Sequence, residues 1–322
     1  MANSNQYNLL ADCQSQIAKL KINKILLAYS GGLDSSVLLH CLYRISLSSS
    51  ISVRTIHINH NLSPQSIIFE NHCTEMTSRL KINHQNIQIN IDSSSNIEEQ
   101  CREKRYLSLA KSCGSDEVIF TAHHEEDQVE TFFLRLIRGS GARGLSSMKN
   151  KSRYDNKIIY RPFLKVSKKT IEGYCQENSL DYIEDSSNQN DKFDRNFIRN
   201  NLMPLIKSRW PSVNKNIINN ISVQDIQSKC LVEHISNILP NYQLNNSNEL
   251  SVTKLSQESI YNKIMIIHEW VLKEKGIILN LKQIREILKI LETNNDSNPL
   301  FEFGRIKIIK VKDVILLSTN TR

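Results

Sequence analysis

The chain has 322 residues, of which 39% are hydrophobic and 23% charged, and this composition excludes a disordered protein. Its nine glycines and six prolines exclude collagen-like and Pro/Gly-rich low-complexity proteins, and no apolar run approaches the roughly 20 residues of a membrane helix. The net charge of +8 suits a polyanionic partner, and the absence of a secretory pattern near the N-terminus makes the cytoplasm the expected compartment, with no membrane partner.

The first part of the chain alternates apolar runs with helical patterns. The predicted elements, in order, are strand 24–29, helix 35–45, strand 51–59, helix 66–80, strand 84–91, helix 96–113, strand 117–121 and helix 126–138. The first run is apolar throughout, as in strands that are buried on both faces. This α/β alternation predicts a doubly wound, mostly parallel sheet, in which ligands bind beyond the carboxyl ends of the strands.

The regular alternation ends near residue 140. Residues 139–157 are rich in glycine, serine and lysine, and they are predicted to form a long mobile loop. The later predicted elements are helices 168–178, 196–207, 260–275 and 281–291, Asn-rich spacers at 214–220 and 243–249, and two short strands within 301–318. The pattern predicts a nucleotide-type α/β domain over 1–215 and a smaller, mostly helical domain over 216–322.

Positive charge is concentrated between residues 131 and 170. That segment holds eleven Lys or Arg residues and one acid, Asp155, which gives a net charge of 11 − 1 = +10. Residues 216–322 hold 13 basic and 11 acidic residues, a net charge of only +2. A local excess of this size favours a polyphosphate backbone as the partner, although a solvated lysine-rich surface is the alternative.

A candidate phosphate-binding loop follows the first predicted strand. In Ser30-Gly31-Gly32-Leu33-Asp34-Ser35 the two glycines let the backbone approach an anion, and the helix that follows offers unpaired N–H groups. The loop lacks the lysine of a Walker A motif and the spacing of GxGxxG. Because an acid in a phosphate loop is unfavourable without a cation, Asp34 is predicted to contact Mg²⁺. The alternative is a plain strand-to-helix turn with Asp34 near the N-cap.

A second candidate site follows the strand at 117–121. His123, Asp127 and Glu130 lie at i, i+4 and i+7, on one face of the predicted helix. Two carboxylates and an imidazole at the carboxyl edge of the sheet could hold Mg²⁺, bind an ammonium group or act as a base. The alternative is an exposed acidic first turn that is stabilised by the helix dipole.

An ordered set of motifs resembles a known enzyme family. SGGLDS at 30–35 resembles the signature of the ATP-pyrophosphatase (PP-loop) superfamily, and residues 122–148 closely resemble the central motif of the tRNA(Ile)-lysidine synthetases. Further matches, in chain order, are CREKRY at 101–106, Arg161-Pro162 with Leu164, Glu184-Asp185 with Ser187-Asn188, and Arg195-Asn196 with Arg199. The resemblance covers roughly residues 20–205 well and 216–320 more loosely, and it implies an adenine-nucleotide alpha-hydrolase-like fold. It also implies that 1–215 is a PP-loop ATP-binding catalytic domain and that 216–322 is a tRNA-recognition domain.

The resemblance implies a two-step ligation. ATP adenylates the 2-oxo group of the wobble cytidine in a tRNA(Ile) with a CAU anticodon, and pyrophosphate leaves. The ε-amine of L-lysine then displaces AMP to form lysidine. Only about one lysine ε-amine in two thousand is neutral at pH 7, so a carboxylate must accept its proton or a desolvated pocket must lower its pKa. Oligomeric state stays open, with a homodimer among the alternatives.

The resemblance also assigns roles to individual residues. The expected catalytic residues are Asp34, Asp127, Glu130 and Arg195, with Asp34 also as the Mg²⁺ ligand. ATP is expected to contact Ser30, Gly31, Gly32, Leu33, Asp34, Ser35 and His57. Lysine is expected to contact Asp127, Glu130, Arg195 and His123. The tRNA is expected to contact Arg102, Arg105, Arg135, Arg138, Arg143, Lys149 and Arg199.

Several of these residues have simpler alternatives. Arg195 could form an ordinary surface ion pair with Asp191 or Asp194, and His123 could be a packed, neutral histidine. Arg102 and Arg105 could belong to a solvated helix face. His57 and His60 together suggest zinc, but two histidines at i, i+3 without further ligands support it only weakly.

The chain departs from the family pattern in three places. Asn61-Leu62-Ser63 replaces the usual Gly-Leu-Arg, so one basic contact is expected to be missing, and Cys101 replaces an alanine. A further small C-terminal domain, which many members carry, is not recognisable here, and this leaves the reach toward the tRNA acceptor end open.

Two other functions compete with this interpretation. A PP-loop tRNA thiolase needs a catalytic cysteine or a cysteine-held cluster, but the seven cysteines lie at least twelve positions apart and form no CxxC. A catalytically idle tRNA-binding protein is the other alternative. The intact Ser30, Asp34, Asp127, Glu130 and Arg195 argue against it.

Overall fold

The chain forms two compact units, Met1–Asp225 and Ile226–Arg322, in a computed structural model. The structure describes residues 8–61, 65–91, 97–293 and 298–319. In these ranges no helix combines the length and the apolar character that crossing a membrane requires.

The first unit contains six strands and a series of helices in alternation. Its strands are β1 (Lys24–Ala28), β2 (Ser52–Asn59), β3 (Asn83–Gln88), β4 (Val118–Phe120), β5 (Lys151–Tyr154) and β6 (Lys157–Tyr160). Its helices are α1 (Leu9–Leu20), α2 (Leu33–Ser46), α3 (Ser66–Arg79), α4 (Ile97–Ser112), α5 (Glu125–Ile137), α6 (Ala142–Leu145), α7 (Lys168–Glu177), α8 (Asp194–Phe197) and α9 (Met203–Arg209), with a 3-10 turn at Ser186–Gln189 and a π turn at Ile198–Leu202 between α8 and α9.

The six strands form one sheet in the order β3-β2-β1-β4-β6-β5, and all neighbours are parallel except β5 and β6. This confirms the predicted mostly parallel sheet. Strands β1 and β4 are neighbours, with Leu27 paired to Phe120 near their carboxyl ends. The chain segments that follow these two strands therefore leave the sheet side by side, and they are the two segments that carry the predicted sites.

The sheet is buried on both faces, as the apolar run in β1 predicts. Ile25 and Leu27 belong to a core cluster with α1, α2 and α7, whereas Leu26 packs with α4 on the other face. Successive side chains of a strand point to opposite faces, so one short apolar strand serves both cores. Each fully buried Ile or Leu side chain contributes about 1.5–3 kcal/mol to folding.

The prediction of a mobile loop over 139–157 is wrong. The segment contains the short helix α6, and its last part forms a hairpin with β6, in which Lys151 pairs with Tyr160. The turn lies at Asp155 and Asn156, whose φ angles of 46° and 61° are left-handed. Two such residues in succession fit a type I′ hairpin turn, whose twist matches that of the strands.

Residues 214–220, predicted as a spacer, lie in helix α10 (Val213–Ile238), which contains the division between the units. Ile217 and Ile221 are buried there in a cluster with Val129, Ile198 and Met203. Burial of these isoleucines outweighs the poor helix propensity of the surrounding asparagines.

The second unit combines helices with an antiparallel sheet of order β7-β10-β9-β8. Its elements beyond α10 are a 3-10 turn at Leu239–Asn241, β7 (Glu249–Ser251), α11 (Val252–Ser256), α12 (Ile260–Lys275), α13 (Leu281–Leu291), β8 (Leu300–Phe303), β9 (Ile306–Val311) and β10 (Val314–Thr319). The predicted helices at 260–275 and 281–291 are confirmed. The C-terminal region forms three strands where the sequence predicted two.

Candidate active site

The loop after β1 has the backbone geometry of an anion-binding turn. Gly31 has a φ of +81°, and a Cβ atom there would lie 3.1 Å from Cys73 Sγ, so only glycine fits this position well. Gly32 is the N-cap of α2 and provides no side-chain cap for that helix. The Ser30 and Ser35 hydroxyls lie 3.0 Å apart beside the loop. The predicted ATP-binding residues 30–35 therefore surround the N-terminus of α2, where anions bind favourably.

Asp34 lies in the first turn of α2, and one of its carboxylate oxygens has no hydrogen-bond partner among the described residues. Its Oδ1 is buried and accepts no hydrogen bond from the described part of the chain. Its Oδ2 lies 3.5 Å from Nε2 of His124. A buried carboxylate oxygen without a partner is costly. It is also the hard oxygen ligand that Mg²⁺ prefers, so Asp34 fits the predicted cation contact.

The second site is built on the first two turns of α5. His124 is the N-cap of this helix, and its backbone N–H donates to Asp127 Oδ2 at 2.8 Å. Asp127 and Glu130 are 9% and 2% exposed. Burial at this depth contradicts the alternative of an exposed acidic first turn.

Two arginines approach these carboxylates from α8 and the π turn. Arg195 donates through Nη2 to Asp127 and through Nε to Glu130, both at 2.7 Å. Arg199 donates through Nε to the other oxygen of Glu130 at 2.6 Å. Arg195 thus pairs with the buried acids of α5 and not with Asp191 or Asp194. We call these four side chains, Asp127, Glu130, Arg195 and Arg199, the carboxylate–arginine network.

The charges of the network stabilise one another. Burial raises the pKa of Asp127, but the positive charges of His124 and Arg195 outweigh it and hold that pKa well below its ordinary value. The pKa of Arg195 is correspondingly raised, because the two carboxylates outweigh the effect of its burial. Asp127 is therefore an anion throughout the physiological pH range.

His124 connects the phosphate loop to the network. The ring is 4% exposed, with Nδ1 3.2 Å from Glu126 Oε2 and Nε2 3.5 and 3.6 Å from carboxylate oxygens of Asp34 and Asp127. Burial lowers its pKa, but these carboxylates outweigh burial and raise the pKa to about 10. A protonated ring can donate to Glu126 and to Asp34 at once. His124 was not among the predicted site residues, although its position before an acidic first turn was visible in the sequence.

The histidines that were predicted as site residues, His123 and His57, have less direct roles in this geometry. His123 Nδ1 lies 2.8 Å from Thr121 Oγ1, and burial and nearby arginines lower the pKa of the ring to about 3, so it is neutral. His57 is buried in β2, with Nδ1 3.1 Å from the Tyr29 carbonyl oxygen. Burial also lowers the pKa of His60, to about 4. Across the described residues, His, Cys, Asp and Glu side chains form no group of three or more that could hold a metal ion.

Four of the predicted tRNA-binding arginines are at least partly exposed. Arg102, Arg138 and Arg143 are exposed, and Arg105 is half-buried. Arg102 and Arg105 lie over the ring of Tyr106, at 5.9 and 5.4 Å from its centroid.

The other predicted tRNA contacts make internal bonds. Arg135 donates to the carbonyl oxygens of Gly144 and Ser147 at 2.6 and 3.1 Å and so fixes the chain around α6. Lys149 pairs with an aspartate of α10, and Arg199 belongs to the carboxylate–arginine network.

Comparison with known proteins agrees with this geometry. Residues 5–206 match the PP-loop domain family. The tRNA(Ile)-lysidine synthase of Wigglesworthia glossinidia brevipalpis is 36% identical over 282 residues, which cover 84% of this chain and 70% of that protein. This chain belongs to the tRNA(Ile)-lysidine synthase family. Among its other relatives are the tRNA(Ile)-lysidine synthases of Buchnera aphidicola, at 36% identity over 95% of this chain, and Haemophilus influenzae, at 30% over 97%.

The chain spans 70–74% of the length of these three relatives and 64% of the length of the tRNA(Ile)-lysidine synthase of Yersinia pestis. Among solved structures, the U34-tRNA thiolase NcsA from Methanococcus maripaludis superposes with a TM-score of 0.53 at 14% identity, over 67% of this chain and 79% of that one. Similarity at this level of identity shows a shared fold.

Proposed function

We propose that this chain ligates L-lysine to C2 of the wobble cytidine in a tRNA(Ile) with a CAU anticodon, and that it consumes ATP and releases pyrophosphate and then AMP. The observation that supports this most is the short connection from the phosphate loop to the carboxylate–arginine network through His124. A nucleotide at the loop and an amine at the network would then meet at one edge of the sheet. The substrates of such a reaction are cytoplasmic, which fits the expected compartment.

In the first step the cytidine O2 attacks the α-phosphorus of ATP. The new O–P bond replaces the bond to the β-phosphate oxygen, and pyrophosphate leaves. The N–H groups at the start of α2 and the hydroxyls of Ser30 and Ser35 orient the phosphates. The unpartnered Oδ1 of Asp34 would hold Mg²⁺, which when bound neutralises phosphate charge during the transfer.

In the second step the ε-nitrogen of lysine attacks C2, and AMP leaves with the former oxo oxygen. Because its pKa is held low, Asp127 suits holding the ammonium group better than accepting its proton. Arg195 and Arg199 already offset much of the carboxylate charge, so the bound ammonium is less stabilised than beside free carboxylates. This favours loss of the ammonium proton to water and formation of the nucleophilic amine.

The tRNA is held by exposed basic side chains of the segment 131–170, such as Arg138 and Arg143, and by the arginines of α4. Such contacts with phosphates supply affinity and register but carry no sequence information. The wobble cytidine must leave the base stack to reach the loop, as in other enzymes that modify bases.

A ligation assay tests the proposal. The chain is incubated with ATP, Mg²⁺, radiolabelled lysine and a tRNA(Ile) that carries the CAU anticodon, and label in the tRNA is measured together with pyrophosphate. Label and pyrophosphate are expected in equal amounts, and a tRNA with uridine at the wobble position is expected to take up none. Pyrophosphate without label would indicate a different nucleophile, as in a thiolase, and would refute the proposal.

The role of Asp34 has its own test. Asp34→Ala is expected to abolish pyrophosphate release while tRNA binding is unchanged, because the residue faces the phosphates and not the RNA. Asp181→Ala, which removes an exposed acid that is paired with Arg79 at 3.4 Å, is the matched control. Equal loss of tRNA binding in Asp34→Ala would contradict the assignment.

A further inference from the structure

Arg161 is a buried cation outside the proposed chemistry. It is 5% exposed and follows β6 directly. Within the described ranges, no carboxylate lies at ion-pair distance from it, and its partners are neutral oxygens. Its Nε is buried and has no hydrogen-bond partner there. A buried charge with this little compensation is costly, so its presence here indicates a role beyond core packing.

The guanidinium of Arg161 joins two parts of the first unit. Nη1 donates to the Lys149 carbonyl oxygen at 2.9 Å and to Ser152 Oγ at 2.8 Å, both at the β5 side of the hairpin. Nη2 donates to the phenol oxygen of Tyr106 in α4 at 3.4 Å. One rigid, planar side chain thus fixes the position of α4 relative to the basic segment.

Tyr106 is the platform for two of the predicted tRNA contacts. The residue is 6% exposed, and its ring lies 5.5 Å from the ring of Tyr154. The guanidinium groups of Arg102 and Arg105 lie within 6 Å of its ring centroid, a distance at which cation–π attraction operates. The hydroxyl end of Tyr106 is held by Arg161, and the ring orients the two arginines.

Arg105 is the half-buried member of the pair that lies over this platform. Burial lowers its pKa, and the charges of Arg195 and Asp127 act on the same group. Contacts thus link Arg161 to Tyr106 and Tyr106 to Arg105.

We propose that Arg161 is a positioning residue that acts through Tyr106 to hold Arg102 and Arg105 against the phosphate backbone of the bound tRNA. The proposal rests on the proposed function, because that function supplies tRNA as the polyanion for the basic surface. The competing explanation is that Arg161 only ties the hairpin together through Lys149 and Ser152.

The test uses variants that separate the two contacts of the guanidinium, one with Tyr106 and the other with the hairpin. Tyr106→Phe keeps the aromatic ring and removes the oxygen that Arg161 holds. Ser152→Ala removes a hydrogen bond to the same guanidinium but leaves Tyr106 in place, so it is the matched control. Arg161→Lys keeps the charge but loses the planar guanidinium that donates to both Tyr106 and Ser152.

The KM for tRNA, kcat and the KM for ATP are measured with the full chain. Tyr106→Phe is expected to raise the KM for tRNA about 2–10-fold, the effect of one hydrogen bond, with kcat and the KM for ATP unchanged. Arg161→Lys is expected to act in the same direction and more strongly. Ser152→Ala is expected to match the wild type in all three constants, even if its thermal midpoint falls.

Two results would overturn the proposal. One is a wild-type KM for tRNA in Tyr106→Phe, and the other is an equal rise in Ser152→Ala, which would assign Arg161 to the hairpin alone. Filter binding of the same tRNA without lysine gives a second readout. If the wild type ligates no lysine but Tyr106→Phe still weakens tRNA binding selectively, the proposed function fails and the positioning role stands.

Discussion

The two compact units differ in what they bury. Fifteen of the polar or charged residues that the structure describes as buried lie in the first unit, whereas the second unit contributes two, Ser251 and Lys310. Both of these serve local structure. Ser251 caps α11, and Lys310 Nζ donates to the Leu291 and Thr293 carbonyl oxygens just beyond the end of α13.

The second unit therefore shows how few buried polar or charged side chains folding alone requires. Its core consists of apolar side chains around Trp270, Ile266 and Ile287, each of which is 0% exposed. In the first unit, Asp127 and Glu130 are buried and their arginines are half-buried, although apolar residues of similar volume would pack at least as stably. This surplus of buried charge locates the candidate active site independently of any motif.

The largest expected effect comes from breaking the carboxylate–arginine network. Glu130→Gln is expected to destabilise the first unit by about 3–5 kcal/mol, because two arginines lose their shared charge partner in a buried place. Urea unfolding measures this loss. Glu302→Gln, which removes an exposed acid that lies 3.7 Å from Lys307, is the control and is expected to change stability by less than about 0.5 kcal/mol. A loss below 1 kcal/mol in Glu130→Gln would show that the network is not electrostatically coupled.

The buried cation of the second unit is expected to matter for folding alone. Lys310→Met leaves the Leu291 and Thr293 carbonyl oxygens without their donor and is expected to cost about 1–3 kcal/mol. Pyrophosphate release by the folded variant should equal that of the wild type. Reduced pyrophosphate release by fully folded Lys310→Met would contradict the conclusion that the buried cation of the second unit serves folding alone.

A third prediction concerns an ion pair of the first unit that lies outside the site. Arg54 donates to Glu117 at 2.6 Å and lowers the pKa of that carboxyl group against the effect of burial. The pair therefore stabilises the protein above the unfolded pKa of Glu, about 4.3, and this contribution is lost as pH falls through the lower folded pKa. Arg54→Gln is expected to cost about 1 kcal/mol at pH 7.

Urea titrations at pH 7 and pH 3 check this sign. The difference between the wild type and Arg54→Gln should shrink as the pH falls, while pyrophosphate release at pH 7 stays unchanged. A difference that grows toward acid pH would reverse the assigned direction of the Glu117 shift.

The smallest expected effect is on an exposed charge at the end of α5. Arg138→Gln removes a side chain that lies 3.9 Å from Asp194 and is 67% exposed, so stability should hardly change. Its tRNA affinity should fall, and the slope of log affinity against log salt should become shallower by about 1. Lys289→Gln on α13 is the control, with no expected change in slope. Equal slopes for wild type and Arg138→Gln would remove Arg138 from the interface.

Prediction from the sequence succeeded where a pattern of a few neighbouring residues determines the local structure. The apolar run of β1, the glycines of the loop and the spacing of Asp127 and Glu130 all carried their information within a few residues. Where tertiary packing decided the structure, prediction failed. The asparagines of 214–220 suggested a spacer, but burial of Ile217 and Ile221 makes the segment helical.

Two other misses had visible signals. Asp155-Asn156 between short β-prone runs is typical of a hairpin turn, but the glycines and lysines around it favoured a loop. His124 was passed over because His123 has the helical spacing to Asp127, whereas an N-cap residue acts through its position at the helix end. The pairing of Arg195 with the acids of α5, 65 and 68 positions away, could not be read from local sequence.

The π turn at Ile198–Leu202 limits how the length of this chain can change. A π turn holds about one residue more than an ordinary helical turn, and such turns are frequent at functional sites. Each residue of an α-helix rotates the chain by about 100°. Deleting one residue here would leave a regular helix that could keep either Met203 in the core or Arg195 on α5, but not both. A single-residue deletion in this stretch should therefore remove either the packing of Met203 or the pairing of Arg195 with α5.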